Sequence, residues 1–379
     1  MQLNKLAATL AAIGLAVPSL AMATNGMIME GYGPIAAGMG GASMAYDNGT
    51  AALANNPATL GLMADGSQLD VMLGFVGPDV KTPMGTSRAD AFYMPAIGYV
   101  KKQGKLAYGV GIYGQGGMGT EYANGDMAQV GVGRVIFPLA YRVNERFNVG
   151  GSVDIVWAGM DLVADLDANG TKDIDFKDDS DYTGKAKGYS LAAKLGFTYK
   201  LNDALTLGGV YQTAGNLPDL KGGGYQVTGF DMPPMLALGL AWQASDLLMV
   251  AADLKNVMWG SSMNTVSIYR DGVLVAPFRQ DWDDQIVLAL GLAYQFNDAF
   301  TGRIGYNHGN NPIPDQYANY LWPAIMENHY TAGFGYALDK ASELNFALSV
   351  VPEVSVTGMG GMRIDHSQVN WQLMYSYKF

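Results

Sequence analysis

The chain has 379 residues with no cysteine and 50 glycines, and its 23 basic and 34 acidic residues give a formal net charge of −11. The lack of cysteine excludes disulfide scaffolds and thiolate metal sites. The acidic balance argues against a nucleic-acid partner, because phosphate-binding surfaces need clustered lysine and arginine. With 49% hydrophobic and 15% charged residues, the chain is too apolar to be disordered, and its glycine content disfavours a mainly helical protein.

The first 23 residues have the pattern of a secretory signal. A lysine near the start is followed by an apolar stretch from Leu6 to Leu20, and Ala21-Met22-Ala23 matches the small residues that signal peptidase accepts. A membrane anchor is the alternative, but it needs about 20 apolar residues, and this stretch is shorter and contains Pro18. The pattern predicts a signal peptide over 1–23 and export of the chain.

Residues 24–67 form the next predicted unit. They are rich in small and apolar types, as in Ala36-Ala37-Gly38-Met39 and Ala51-Ala52-Leu53-Ala54, and they contain few charges. Exposed to solvent, such a segment would be a large apolar patch. If the strands that follow close into a barrel, the segment fits inside the lumen against inward glycines and alanines. We therefore predict an N-terminal hatch, or plug, over 24–67.

From residue 68 to residue 379 the sequence repeats a period of two. Successive side chains of a strand point to opposite faces, so a barrel in lipid alternates apolar outward residues with small or polar inward ones. One such outward set comprises Ile286, Leu288, Leu290, Leu292, Tyr294 and Phe296. After Ala23 the sequence has no apolar run of about 18 residues, the length that a transmembrane helix needs. A membrane crossing must therefore use strands.

Short polar turns alternate with long connections in this region, as they do in outer-membrane barrels with tight periplasmic turns and longer external loops. The predicted strands lie near 68–76, 92–102, 104–114, 131–143, 146–162, 186–200, 204–214, 230–244, 247–259, 282–296, 299–308, 328–338, 342–352 and 368–379. This even count of strands places both ends of the barrel region on the periplasmic side.

A secreted β-sandwich is the alternative fold, because its strands also alternate. Aromatic residues near strand ends, such as Trp157 and Trp242, and the terminal Phe379 favour a membrane barrel with interfacial girdles. The predicted fold class is all-β, a 14-stranded antiparallel transmembrane β-barrel over 68–379 with the hatch in its lumen. Its predicted location is the outer membrane of a Gram-negative cell.

Several motifs are spread over the mature chain. They are Gly38-Met39-Gly40-Gly41-Ala42-Ser43, Asn55-Asn56-Pro57-Ala58-Thr59-Leu60, Gly77-Pro78-Asp79-Val80, Gly117-Met118-Gly119-Thr120-Glu121-Tyr122, and the segment 307–327 with its Pro312-Ile313-Pro314. Together they resemble the FadL-type outer-membrane transporters of long-chain fatty acids and hydrophobic compounds. The resemblance implies a barrel closed by a hatch and uptake of apolar molecules without an energy source. It also implies sideways release into the bilayer through a gap at a kink in the third strand.

The resemblance assigns three groups of site residues. Gly114, Gly116 and Gly117 end the third predicted strand, where glycine lets a strand bend away from its neighbour. They correspond to the lateral gate, and an ordinary glycine-rich loop is the alternative. Asn56-Pro57-Ala58 corresponds to the hatch triplet that faces the kink, or forms a plain β-turn. Met27-Ile28-Met29 corresponds to the tail that reaches the central binding pocket, or packs as part of the hatch.

Two further residues are candidates for substrate contact. A fatty carboxylate needs a buried cation, and Arg279 lies just before the tenth predicted strand, near where a lysine of the family contacts the acid group. No arginine occurs near Ala164, where the fatty-acid transporters place a second cation, which favours neutral hydrocarbons or aromatic compounds. Initial capture of solute at the outer surface is expected to involve Leu321-Trp322-Pro323 and Ile325-Met326, because the third long loop, residues 164–182, lacks the family's apolar capture helix.

The third long loop is rich in aspartate. Its Asp165-x-Asp167-x-Asn169-Gly170 run opens like a calcium-binding loop, but the twelfth position is Phe176 instead of glutamate. A calcium ion bound by Asp165, Asp167 and Asn169, a solvated loop, and a loop bridged to lipopolysaccharide by divalent ions are the alternatives. No other cofactor is expected.

Enzyme function is not expected. The histidines fall on separate elements, and the sequence has no Gly-x-Ser-x-Gly elbow. The first functional hypothesis is passive uptake of hydrophobic small molecules, either long-chain fatty acids or hydrocarbons and aromatic compounds, by a monomer surrounded by outer-membrane lipid and lipopolysaccharide. The second is a structural or surface-interaction barrel with acidic, ion-binding loops. A polar-solute porin is the third and weakest hypothesis. A porin lines its constriction with opposed charges, whereas this lumen is plugged and consists mainly of small residues.

Overall fold

The computed structural model describes residues 25–178 and 183–379, so the predicted signal peptide lies outside the described residues. Within these ranges fourteen long strands form the wall of the molecule. They are β1 (Gly66–Thr82), β2 (Phe92–Gln103), β3 (Leu106–Glu121), β4 (Met127–Arg142), β5 (Phe147–Ala164), β6 (Ala186–Lys200), β7 (Leu205–Gln212), β8 (Met235–Gln243), β9 (Leu248–Val257), β10 (Gln285–Gln295), β11 (Phe300–Gly309), β12 (Asn328–Ala337), β13 (Ser342–Thr357) and β14 (Arg363–Lys378).

Every long strand pairs antiparallel with the next along the chain, and β14 pairs with β1 from Gln68 opposite Lys378 to Lys81 opposite Asp365. The first and last strands therefore meet, and the wall closes into a barrel. Outward and inward burial alternates as lipid requires: on β10, Ile286 is 49% exposed whereas Val287 is fully buried. The predicted fold class is confirmed.

Several strands continue past their predicted ends. β3 runs to Glu121 through the glycine-rich stretch that the sequence indicated as a loop, and β4 starts at Met127. β13 and β14 likewise extend into the predicted loop at 353–366. The glycine run lacks the apolar alternation that marks a strand, yet its backbone pairs with β4. In β13, Pro352 interrupts the pattern, and a register shift between Val351 and Val354 accommodates it.

The loops opposite the short turns carry the remaining regular structure. Short strands cover Gly85–Thr86, Ile174–Phe176, Leu220–Gly222, Tyr225–Thr228, Thr265–Arg270 and Val273–Arg279. Single-turn 3₁₀ helices cover Trp259–Ser261, Asp315–Tyr317 and Met359–Gly361. In the part of the chain that the structure describes, no helix is long and apolar enough to cross a membrane.

The segment before β1 lies in the lumen and is almost entirely buried. It contains the α-helix α1 (Pro34–Ala37) and the 3₁₀ helices Gly49–Leu53 and Pro57–Leu62. Inward polar side chains of the wall bind its backbone. The contacts are Ser43 N to Asp253 Oδ2 at 2.7 Å, Thr50 N to Asp70 Oδ2 at 2.9 Å, Lys255 Nζ to Gly41 O at 2.8 Å, Asn307 Nδ2 to Gly40 O at 2.9 Å and Gln372 Nε2 to Gly31 O at 3.0 Å.

Inward glycines of the wall allow this segment to lie directly against the strands. A Cβ on Gly208 would lie 1.9 Å from the carbonyl oxygen of Met44, and a Cβ on Gly305 would lie 2.1 Å from the backbone nitrogen of Gly40. Both positions therefore need glycine for close backbone approach rather than for a special backbone angle. This contact explains part of the high glycine content of the sequence.

Candidate functional site

The barrel wall is interrupted between β2 and β3. The two strands pair from Gln103 opposite Leu106 to Ile97 opposite Ile112. Beyond that point residues 92–96 pair with β1, and residues 113–121 pair with β4. The outer halves of β2 and β3 therefore face each other without ladder hydrogen bonds, which leaves an opening in the wall. We call this gap the lateral opening.

A β-bulge in β3 lies beside the lateral opening. Gly114 pairs with Gly133 and Gly116 pairs with Val132, so Gln115 is an extra residue with no partner in the ladder. A bulge bends its strand and increases the local twist, which turns the outer half of β3 away from β2. The predicted gate glycines Gly114, Gly116 and Gly117 lie at this bulge, and their role in gating stays a prediction.

The start of the described chain fills the lateral opening from inside. Ile28 forms an antiparallel bridge with Gly116, and the Gly117 amide donates to the Met27 carbonyl oxygen at 3.1 Å. A Cβ on Gly116 would lie 1.7 Å from that oxygen, so only glycine permits the contact. The structure thus brings the Met27-Ile28-Met29 tail and the gate glycines together, although the sequence placed them far apart in the chain.

The outer border of the lateral opening is closed by the β1–β2 loop. The Arg88 backbone amide donates to the Glu121 carbonyl oxygen at 2.7 Å, and the two side chains form an ion pair at 2.8 Å. A crevice of about 300 Å³ lies beside this contact, between the end of β2 and the ends of β3 and β4. Its lining includes Tyr93, Thr120, Met127 and Gln129. The lateral opening is therefore a window with paired strands below and a loop contact above.

The outer half of the lumen is a continuous apolar cluster. Met27, Ile28 and Met29 are buried in it. Members from the wall and the outer loops include Met94, Met118, Phe278, Trp259, Trp282, Trp322 and Ile325. The Trp259 and Trp282 rings meet edge to face at 4.9 Å. An apolar solute that enters this region leaves water for a hydrocarbon-like environment.

The predicted outer capture segment does not face solvent. Trp322 is 3% exposed and its ring packs edge to face against Phe278 at 5.1 Å, while Leu321 is 1% exposed. The expectation of an exposed capture surface at Trp322 is therefore wrong, because the loop folds into the lumen and its apolar side chains join the core cluster. Trp322 instead belongs to the apolar lining of the outer lumen.

Arg279 is not a buried cation. Its side chain is 64% exposed at the end of an outer hairpin, forms an ion pair with Asp281 at 2.5 Å, and lies over the Tyr317 ring at 4.9 Å. This environment raises the pKa of Arg279, first through its hydrogen bond to Asp281. The expectation of a buried cation at Arg279 is therefore wrong, because the side chain is exposed and already has a carboxylate partner. Contact between Arg279 and a substrate carboxylate stays a prediction.

The hatch triplet contacts a different part of the wall from the bulge. The Asn56 side-chain nitrogen donates to the carbonyl oxygens of Met44 and Phe197 at 2.8 and 3.2 Å, and its oxygen accepts from the Ala58 amide at 3.1 Å. A Cβ on Gly150 would lie 2.6 Å from the Ala58 nitrogen. Asn56 thus caps the 3₁₀ helix Pro57–Leu62, and these contacts place the triplet against β5 and β6. The contact with the kinked strand that the resemblance implied stays a prediction.

The sequence did not indicate a buried polar cluster at the bulge. Arg134 donates to Asp154 Oδ2 at 2.9 Å, Lys194 donates to the same oxygen at 2.9 Å, and Arg134 Nε donates to the Gln115 side-chain oxygen at 2.5 Å. All four side chains are buried. The inward strand positions of Arg134, Asp154 and Lys194 could be recognised in the sequence. The sequence does not show that three different strands bring these charges together.

The acidic loop gathers three carboxylates. Oxygen atoms of Asp165, Asp167 and Asp173 lie within 4.8 Å of one another. The Asn169 side-chain nitrogen donates to Asp167 at 2.8 Å, so Asn169 supports the loop as a donor here, and Asp173 is a closer candidate for a third cation ligand. Oxygen ligands of this kind suit calcium, and cation binding by this loop stays a prediction.

These features define a class of protein: an outer-membrane barrel whose lumen is filled by its own N-terminal segment and whose wall has a sealed side opening. The chain belongs to the outer membrane protein transport protein family (OMPP1/FadL/TodX), whose model matches residues 14–359. The predicted family and the outer-membrane location are confirmed.

Solved structures of similar proteins share this fold. The toluene transporter TodX of Pseudomonas putida is 30% identical, over 92% of this chain and 99% of that chain, with a TM-score of 0.80. The toluene transporter TbuX of Ralstonia pickettii is 27% identical over the same shares, with a TM-score of 0.77. A FadL homologue of Pseudomonas aeruginosa shares the fold at 15% identity, over 93% of this chain and 100% of that chain, with a TM-score of 0.75.

A curated relative matches a shorter part of the chain. It is an uncharacterised protein from the 5′ region of a phosphoenolpyruvate carboxykinase gene in Chlorobium limicola, 44% identical over 81 residues. The match covers 20% of this chain and spans 39% of the length of that relative.

Proposed function

We propose that the protein is a passive outer-membrane transporter that takes up hydrophobic small molecules and releases them sideways into the membrane. The observation that carries this proposal is the lateral opening, which is sealed from inside by Met27-Ile28-Met29 and faces an apolar lumen. The names of TodX and TbuX as toluene transporters support the substrate class.

The distribution of polarity along the lumen favours a sideways route. The outer half is apolar, whereas the end near the short turns has a cavity of about 290 Å³ whose lining includes Asp47, Asp246, Arg303, Glu343 and Lys378. An apolar solute gains about 0.8 kcal/mol for each CH₂ that leaves water, so passage through the charged inner end is unfavourable. Sideways exit keeps the solute in apolar surroundings and needs no energy source.

The lumen cations favour neutral substrates. Lys194 and Lys255 donate to hatch carbonyl oxygens, at 3.1 Å to Leu53 and 2.8 Å to Gly41. Arg134 donates to Asp154, and Arg303 donates to Asn345 at 2.9 Å. Because each already binds a protein group, a fatty carboxylate would have to displace an existing partner. We therefore propose neutral aromatic or aliphatic hydrocarbons as substrates, with long-chain fatty acids as the alternative.

Uptake by a deletion strain tests the proposal. Cells with and without the gene receive radiolabelled toluene in one assay and a radiolabelled long-chain fatty acid in another. The proposal predicts slower toluene uptake on deletion and recovery on complementation. Loss of fatty-acid uptake alone would reverse the substrate assignment, and unchanged uptake of both would contradict transport.

We also propose that the acidic loop binds a divalent cation, since Asp165, Asp167 and Asp173 converge. Calcium titration of the purified protein, followed by calorimetry, should show one site that is lost in Asp165→Asn with Asp167→Asn. Asp246→Asn, on a short turn at the opposite end, is the control. Binding that persists in the double variant would contradict this assignment.

A further inference from the structure

A chain of hydrogen bonds links the β3 bulge to the hatch. Lys194 Nζ donates to the hatch carbonyl of Leu53 at 3.1 Å and to Asp154 at 2.9 Å. Arg134 joins Asp154, at 2.9 Å, to the side-chain oxygen of Gln115, at 2.5 Å. Gln115 is the extra residue of the bulge, so its side chain is bound from the wall of the barrel.

The backbone of the same residue is bound from the hatch. The Tyr32 hydroxyl donates to the Gln115 carbonyl oxygen at 2.7 Å. Burial raises the pKa of this hydroxyl, so it stays protonated and able to donate. Tyr32 is fixed in turn by Asn55, whose side chain accepts from the Tyr32 amide at 3.2 Å and donates to the Tyr32 carbonyl at 2.8 Å. Asn55 lies two residues after Leu53, so the chain of contacts closes into a ring.

We propose that Gln115 and Arg134 are positioning residues that keep the lateral opening sealed by coupling the β3 bulge to the hatch. We call the Gln115, Arg134, Asp154 and Lys194 side chains the latch. The inference rests on the proposed sideways exit, because the tail Met27-Ile28-Met29 must leave Gly116 before a solute passes. The latch holds the backbone on which that tail docks.

The charges of the latch allow the contact between Gln115 and Arg134 to be either strengthened or weakened by substitution. Two cations, Arg134 and Lys194, share the carboxylate of Asp154, and Gln115 supplies only a neutral acceptor. Replacing Gln115 with glutamate adds a second carboxylate and converts a hydrogen bond into a buried ion pair in a low-dielectric site. Replacing it with leucine removes the acceptor. The two variants therefore act in opposite directions on the same contact.

We expect the latch to tolerate removal of its arginine. Without Arg134, Asp154 keeps Lys194 as its partner at 2.9 Å and Ser152 as a second donor at 2.6 Å. No carboxylate is left buried without a cation, so Arg134→Met avoids the large cost of an unpaired charge. The variant is expected to fold and to lose only the link to the bulge.

Thiol labelling of the tail tests the inference in the full-length protein. The chain has no cysteine, so Met29→Cys introduces a single thiol. The Met29 side chain that it replaces is only 4% exposed. The rate of reaction with an apolar maleimide reports how often the tail leaves the opening. Relative to the Met29→Cys parent, added Gln115→Leu or Arg134→Met should raise the rate about tenfold, because each removes a hydrogen bond to a charged group. Added Gln115→Glu should lower it.

Thr331→Val is the matched control. Thr331 binds the hatch at Gly38 and Gly40, away from the bulge, and its loss should leave the labelling rate unchanged. Migration of unheated samples in gels verifies that each barrel is folded. Equal rates in the parent and in Gln115→Leu, or the same increase in Thr331→Val, would overturn the inference.

This measurement is separate from transport. Labelling is carried out without solute, whereas uptake of radiolabelled toluene by the unmodified protein tests the proposed function. A labelling change without any uptake would support the latch and contradict the transport proposal. Uptake with unchanged labelling in the latch variants would support transport and contradict the latch.

Discussion

Two strands of the barrel contain a bulge, but the wall opens beside only one of them. In β3 the extra residue Gln115 points into the lumen, where Arg134 and Tyr32 bind it. In β13 the irregularity between Val351 and Val354 leaves Pro352 and Glu353 exposed. β14 continues on both sides of the β13 bulge, and the wall stays closed there. A bulge alone therefore does not open a barrel; the opening occurs where the hatch supplies a substitute partner for the bent strand.

The largest effect on the difference between the two bulges is expected from a substitution that removes the space occupied by the tail. Gly116→Val places a side chain where the Met27 carbonyl oxygen now lies, 1.7 Å from the position of a Cβ. Overpacking of this kind costs about 1–3 kcal/mol, so the tail should leave the opening far more often. Entry of the dye 1-N-phenylnaphthylamine into cells should increase.

The β13 bulge provides the control for this prediction. Ser355→Val, one residue after the β13 bulge, adds volume where the Ser355 hydroxyl contacts Asp365 and Arg363 of β14, and it should leave dye entry unchanged. If Gly116→Val behaves like Ser355→Val, the tail does not seal the opening.

A separate effect, on the free energy of unfolding, is expected from the aromatic support of the tail. Trp259 is fully buried and lies under the turn at Gly26, where a Cβ would meet its indole nitrogen at 2.7 Å. Trp259→Ala should cost about 3–5 kcal/mol of unfolding free energy and loosen the tail. Urea unfolding in detergent measures the stability. The lipid-facing Trp242, 49% exposed, is the control, and an equal loss in Trp242→Ala would contradict a specific role for Trp259.

The smallest effect is expected at the outer border of the opening. The Arg88 and Glu121 side chains are 61% and 44% exposed, and an exposed ion pair contributes only about 0–1 kcal/mol. The backbone contact between the same residues remains in Arg88→Ala. Toluene uptake should therefore change less than twofold, and a large loss would show that the side-chain pair controls the width of the opening.

The sequence predicted the wall better than the site. Lipid on one side and a filled lumen on the other impose strict alternation, as on β10, so strand number and closure could be inferred from local pattern. The extent of β3 could not, because its glycines pair with β4 without showing an apolar period. Trp322 and Arg279 were misplaced for a related reason: loop sequence alone does not show whether a loop folds into the lumen or away from it.

The latch shows the same limit at single residues. Arg134, Asp154 and Lys194 come from β4, β5 and β6, and the ring closes through hatch residues far earlier in the chain. Each charge is recognisable in the sequence as an inward polar residue. Their convergence depends on strand register and on the position of the bulge, which arise only when the barrel closes.

A reversible cross-link between the tail and the bulge tests the central claim most directly. In Met29→Cys with Gln115→Cys, the two thiols lie on adjacent segments, since the Met29 amide faces the Gln115 carbonyl oxygen at 3.5 Å. Radiolabelled toluene uptake is then measured after oxidation and again after reduction, with each single-cysteine variant as a control. Sideways exit predicts that the oxidised protein loses uptake and that reduction restores it. Full uptake by protein whose cross-link is verified by mass spectrometry would contradict the account, because the solute would then pass by another route.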